Sequence, residues 1–227
     1  MGWLKRHWQL LALTAALFAL WQTPAVLPLK LLVVVLHELA HGLAALLTGG
    51  RIVSLTVSPE IGGLAITQGG NRFAILTAGY LGSLVIGAML FVAALRTDAD
   101  RAVLGGFGAV LALFALLYMR ESFALLFTLG TGAALLAAAW LLPRDICDLA
   151  LRILGLSSMI YVPYDIFSDT IARAHLVSDA RLMAQDIGGP AQMWGTLWLV
   201  LSVIVIALCL RYALGRSSNI AIGPAAS

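Results

Sequence analysis

Apolar positions along this chain come in long unbroken runs, not in alternation and not in narrow stripes. Seven runs can be read, at residues 8–26, 27–47, 73–95, 102–119, 123–142, 149–170 and 194–214. Most reach the ~20 residues that an α-helix needs to cross a ~30 Å hydrocarbon layer. Lipid cannot satisfy backbone N–H and C=O groups, so a spanning segment must be helical or belong to a closed barrel. The runs are continuous and rich in Leu and Ala, which favours helices. Short polar separators divide them, among them Arg120-Glu121 and Pro143-Arg144-Asp145, and Trp194 and Trp198 fit interfacial aromatic anchors. The pattern predicts an all-α polytopic membrane protein with six or seven transmembrane helices, forming a single domain over residues 1–214.

Two stretches break the pattern. Residues 51–68 place β-branched residues in alternation on both sides of Pro59-Glu60-Ile61-Gly62-Gly63, which predicts a short β-hairpin directly after the second run. Residues 173–190 carry Arg173, His175, Asp179, Arg181 and Asp186 and read as an amphipathic or surface segment beside the membrane. Residues 215–227 show no periodicity and are expected to form a disordered tail. The first run follows Lys5-Arg6-His7, as in a signal peptide, but Gln22-Thr23-Pro24-Ala25 is a weak cleavage site. A retained membrane helix is the expectation.

Composition strengthens this picture: 61% of residues are hydrophobic and 11% charged, against roughly 25% charged in soluble domains. The formal charge of +3 is spread along the chain without a Lys/Arg stripe, so a nucleic-acid partner is not expected. Cys147 and Cys209 form no CxxC pair, which argues against thiolate metal binding. With seven helices the Lys and Arg residues divide evenly between the two sides, and the positive-inside rule sets no orientation; only the N-terminal cluster tips it toward a cytoplasmic N-terminus. The expected location is the cell (inner) membrane, as a multi-pass protein with the lipid bilayer as its principal partner.

Chemistry concentrates in the second run, at His37-Glu38-Leu39-Ala40-His41. Four residues apart on a helix, His37 and His41 share a face, so both imidazoles can reach one Zn²⁺. Glu38 is placed as the general base that takes a proton from water at such a metal. Ionisable groups in hydrocarbon cost several kcal/mol and mark functional or paired sites. The competing reading is a buried hydrogen-bonded network between helices, for stability or proton passage. A tetrahedral site needs a further protein ligand. His7 lies among terminal charges and His175 beside Arg173, so neither is favoured. Depth favours Asp165: eight residues separate it from Arg173, as eight separate His41 from Gly49, or about 12 Å of helix in each case. Asp169 reads as an i,i+4 partner of Arg173, and Asp179 is the remaining alternative.

The order of these features resembles the M50 group of intramembrane zinc metalloproteases, the site-2 protease superfamily, and most closely its M50B-like branch. The matching pieces are His37-Glu38-Leu39-Ala40-His41-Gly42, Leu47-Thr48-Gly49-Gly50, Ala78-Gly79-Tyr80-Leu81-Gly82, Tyr164-Asp165-Ile166-Phe167-Ser168-Asp169, Ser178-Asp179-Ala180 and Trp194-Gly195-Thr196-Leu197-Trp198. In that superfamily two histidines and an aspartate of a later membrane helix bind zinc while the glutamate activates water. The resemblance puts these roles on His37, His41, Asp165 and Glu38. The chain departs from the family's Leu-Asp-Gly motif at Ile166, and from its Ala-Gly-Pro region at Tyr80.

Zinc-dependent hydrolysis of a peptide bond within or beside the membrane is the leading expectation, with a transmembrane or membrane-proximal protein as substrate. The alternative is a catalytically inactive relative that binds or chaperones membrane proteins. Gly79, Gly82 and Gly87 read as helix-packing positions. A transporter would call for paired broken helices or an internal repeat, and neither is visible.

Overall fold

The computed structural model describes residues 2–173 and 177–220. Its helices are α1 (Gly2–Leu20), α2 (Leu27–Leu47), α3 (Arg72–Arg96), α4 (Asp100–Tyr118), α5 (Ser122–Leu141), α6 (Arg144–Phe167), α7 (Asp179–Asp186) and α8 (Ala191–Ala213). The hairpin, β1 (Arg51–Val57) and β2 (Gly63–Gln68), follows α2 directly. Among the described residues six helical segments are long and apolar enough to cross a membrane: Pro24–Leu47, Arg72–Arg96, Asp100–Tyr118, Ser122–Leu141, Arg144–Ala172 and Ala191–Ala213. The first apolar run is not one of them. Its helix carries Lys5 and Arg6 near its start, ends at Leu20, and buries only His7, Leu10 and Leu17.

Pro28 stands in the first turn of α2, where a missing N–H leaves no helical bond unmade. The helix stops at Gly49, whose φ of 84° few side chains tolerate, while the Gly50 N–H returns to the Ala45 carbonyl at 2.7 Å. The chain then enters the hairpin. β1 and β2 are antiparallel, paired from Arg51 with Gln68 to Val57 with Gly63, with an irregularity between Ile52 and Ser54. The other edge of β1 is also tied down, by a parallel bridge from Leu55 to Met119 and a hydrogen bond from Thr56 Oγ1 to Glu121 Oε2 at 2.5 Å.

Glycines set how closely the helices approach. A Cβ on Gly155 would lie 2.6 Å from the Phe91 Cβ, and one on Gly87 would lie 2.6 Å from Ser158 Oγ, so α3 and α6 touch nearly backbone to backbone. Gly108 and Gly132 do the same for α4 and α5. α6 contains Pro163 and loosens into a π-helical turn at Ser168–Ala172.

Within the polar stretch 173–190, residues 174–176 lie outside the described residues, and Asp179–Asp186 folds into α7. Ser178 caps α7 by accepting the Arg181 N–H at 3.3 Å. The C-terminal end of α7 is held by Arg72 Nε to Asp186 Oδ2 at 2.7 Å, and the following turn by Trp194 Nε1 donating to the Gly188 carbonyl at 2.8 Å. Of the stretch expected to be a disordered tail, Ser217 to Ile220 have fixed partners. Ser218 is 1% exposed, its Oγ is 2.8 Å from His7 Nδ1, and the Asn219 amide donates to the Lys5 carbonyl at 2.7 Å. Residues 221–227 lie outside the described residues.

Candidate metal centre

α2 presents His37 and His41 one turn apart, with ring centroids 4.7 Å from each other in an edge-to-face arrangement. The His41 Nδ1 lies 2.7 Å from the Ile75 carbonyl. A carbonyl only accepts, so Nδ1 carries a proton and Nε2 is the nitrogen turned toward the other groups of the site. The carboxylate that meets the two rings belongs to Asp179: its Oδ2 is 2.9 Å from His37 Nε2 and 3.2 Å from His41 Nε2. Among the described residues His37, His41 and Asp179 form the group whose potential ligand atoms all lie within 4.8 Å of one another.

Asp165, which the depth comparison favoured, does not belong to this group. That residue lines the same cavity but takes a side-chain hydrogen bond from Tyr161 instead. Asp169 accepts the Tyr80 hydroxyl at 3.1 Å and pairs with Arg173 at 2.7 Å, as its spacing implied. Asp179, the remaining alternative from the sequence, stands on α7, outside the candidate membrane spans. α7 turns back against α3 and α8 and delivers Asp179 from the polar stretch. Ser178-Asp179-Ala180 was legible as a family-like piece, and a serine cap before an aspartate marks a helix start. No local signal shows that this short helix points inward. His7 lies away from this group, against Ser218, and His175 is outside the described residues.

Burial would raise the Asp179 carboxyl, yet His41 and His37 beside it hold it well below the usual carboxylate range. The group is therefore an anion facing two imidazole rings, and one carboxylate oxygen with two ring nitrogens is a donor set that could hold a metal ion. The surroundings leave room at the ring nitrogens. Gly79 of α3 faces them, and a Cβ there would lie 2.6 Å from His41 Nε2 and closer still to His37 Nε2. Gly79 thus clears the donor atoms, beyond the helix-packing role read from sequence. Tyr80 packs edge-on against His37 at 4.7 Å. Glu38, 5% exposed, lines the same cavity of about 700 Å³, together with Gly63 and Ala65 of β2.

A family model described as Peptidase M50B-like matches residues 10–209 of the chain. No curated protein and no solved structure matches it.

Proposed function

Because the chain belongs to the Peptidase M50B-like family, we propose that it is a zinc-dependent peptidase cutting peptide bonds within or beside the cell membrane. The observation that carries this reading is the convergence of His37, His41 and Asp179 on one point beside Glu38. His37 and His41 would hold the ion through imidazole nitrogen and Asp179 through a carboxylate oxygen. When bound, zinc supplies Lewis acidity toward a peptide carbonyl and lowers the pKa of water.

The remaining work falls to this chain's own groups. The Glu38 carboxylate takes a proton from the attacking water and delivers it to the departing amine nitrogen. The Ile75 carbonyl engages His41 Nδ1, so Nε2 is the nitrogen that would offer its lone pair to the ion. A transmembrane substrate must unwind locally before attack, since its helical backbone bonds are satisfied internally. β1 is occupied on both edges, by β2 and by Met119, whereas Gly63, Leu64 and Ala65 of β2 line the cavity. An unwound substrate segment would enter the cavity alongside these residues.

Elemental analysis of purified protein tests the reading first, with about one zinc per chain expected for a single site. Hydrolysis of a quenched fluorescent transmembrane peptide in liposomes, lost on chelation and restored by zinc, tests it second. Zinc-free protein would remove the proposal. Stoichiometric zinc without cleavage of membrane-embedded peptides would favour an inactive relative that binds other membrane proteins.

A further inference from the structure

The hairpin does more than lie beside the cavity, because β2 is built against the side chain of Glu38. A Cβ placed on Gly63 would lie 2.8 Å from both Cγ and Cδ of Glu38 and closer still to Oε1. Two residues along the same strand, the backbone of Ala65 offers a hydrogen bond to the same carboxylate. Backbone groups of a strand alternate in direction. Ala65 therefore turns its N–H away from β1 and toward α2, and Gly63 shares that outward side.

The hairpin cannot easily drift from this position. Leu55 is bridged to Met119, Thr56 is bonded to Glu121, and Ile52 fills the space left by Gly42 on α2, where a Cβ would come within 2.7 Å of its Cδ1. β2 is thus fixed relative to α2, and the Glu38 side chain occupies a slot that exists only because residue 63 has no side chain.

We infer that Gly63 and Ala65 are positioning residues that hold the Glu38 carboxylate in its working orientation, so the hairpin forms part of the apparatus around the base. The inference rests on the peptidase reading for its catalytic meaning and on the contact alone for its geometry. An added methyl at residue 63 would meet the movable Glu38 side chain first. Gly63→Ala should therefore swing the carboxylate aside and leave the fold in place. Misplacing a reacting group by about 1 Å costs on the order of 10²-fold in rate.

Two measurements test this. The first needs no hydrolysis. In a background with Cys147→Ser and Cys209→Ser, the pair Glu38→Cys and Gly63→Cys should form a disulfide under mild oxidation in membranes, read by mass spectrometry of the linked peptides. The neighbouring pair Glu38→Cys and Gly62→Cys should stay reduced, since a Cβ on Gly62 meets only Ser58 Oγ, at 3.1 Å. No link between 38 and 63, or equal linking of both pairs, overturns the inference. The second uses the quenched transmembrane peptide in liposomes. Gly63→Ala should lower kcat by about 10²-fold, with KM, zinc content and Tm unchanged. A wild-type kcat, or a loss that comes with lost zinc or a lowered Tm, overturns the positioning role. If the unmutated protein cuts nothing, the peptidase reading fails, and the disulfide still decides the contact.

Discussion

The six candidate spans fall into two sets that treat polar chemistry differently. In α2, α3 and the α6 segment, 67%, 56% and 61% of the apolar window is buried, against 22%, 17% and 22% in α4, α5 and α8. The first set holds Glu38, His41, Ser83, Asp148, Arg152, Ser157 and Ser158 as buried polar side chains. The second set also buries Asp100, Thr128 and Ser202, but it turns residues such as Leu116, Leu126, Val203 and Leu208 outward. A charged group in hydrocarbon is tolerable only when protein, not lipid, surrounds it. The wrapped helices can therefore carry a reactive centre, and the outward ones can do little beyond covering it. Even Arg152, which would be costly in lipid, lies against Asp148 with two bonds of 2.7 Å.

The sharpest way to break this contrast is at its most reactive point. Glu38→Gln keeps the shape of the side chain but removes the proton acceptor. It should lower peptide hydrolysis by about 10²–10⁴-fold, the usual worth of a general base, while zinc stays near one per chain. Unchanged cleavage would mean that Glu38 is not the base; loss of zinc and fold together would make its burial structural.

The next effect separates the carboxylates of the cavity. Asp179→Ala should reduce bound zinc from about one per chain to a small fraction, because a three-ligand protein site would be left with two imidazoles. Asp165→Ala should retain the metal, since Asp165 bonds to Tyr161 and lies outside the histidine group. Metal analysis after dialysis against a weak chelator distinguishes them. Retention in the Asp179 variant with loss in the Asp165 variant would restore the depth argument.

What the sequence made legible follows the same division. Run length and composition define the spans because lipid forces each one to satisfy its own backbone. Alternation around Pro59 to Gly63 locates the hairpin, and the four-residue spacing of His37 and His41 gives two candidate ligands on one face. These are local properties. The contribution of Asp179 is not local: it depends on α7 being pulled inward by Arg72 on α3 and by Trp194 at the start of α8, contacts that join residues more than a hundred positions apart in the first case. The same holds for Gly63, which reads as a turn residue until α2 is placed under it. The first apolar run shows the opposite failure. Its length suggested a span, but Lys5, Arg6 and the break before Pro24 leave too short an apolar helix.

Packing offers a third test. Leu84 of α3 is 0% exposed and Leu126 of α5 is 69% exposed. Leu84→Ala should cost about 2–5 kcal/mol, as for other filled core positions. Leu126→Ala should stay within about 0.5 kcal/mol. Chemical unfolding in the same detergent measures both. Equal costs would mean that the outward helices pack against something further, and that the division into wrapped and lipid-facing sets is incomplete.

The smallest effects arise where the wrapped set meets water, at Asp169. Its carboxylate serves two donors, the Tyr80 hydroxyl at 3.1 Å and Arg173 at 2.7 Å. Tyr80 is 2% exposed, whereas the Arg173 side chain is 52% exposed. The two bonds should therefore differ in weight. Asp169→Ala leaves a buried hydroxyl without its acceptor, which costs about 1–3 kcal/mol. Arg173→Ala removes only an exposed i,i+4 pair, worth about 0.3–0.5 kcal/mol, and Asp169 keeps its bond to Tyr80. Both variants should retain zinc, since neither residue belongs to the histidine group. Equal costs would mean that the Tyr80 bond contributes nothing and that Asp169 acts only as a surface partner. Loss of zinc in the Asp169 variant alone would show that the Tyr80 ring, edge-on to His37 at 4.7 Å, needs this bond to hold the imidazole in place.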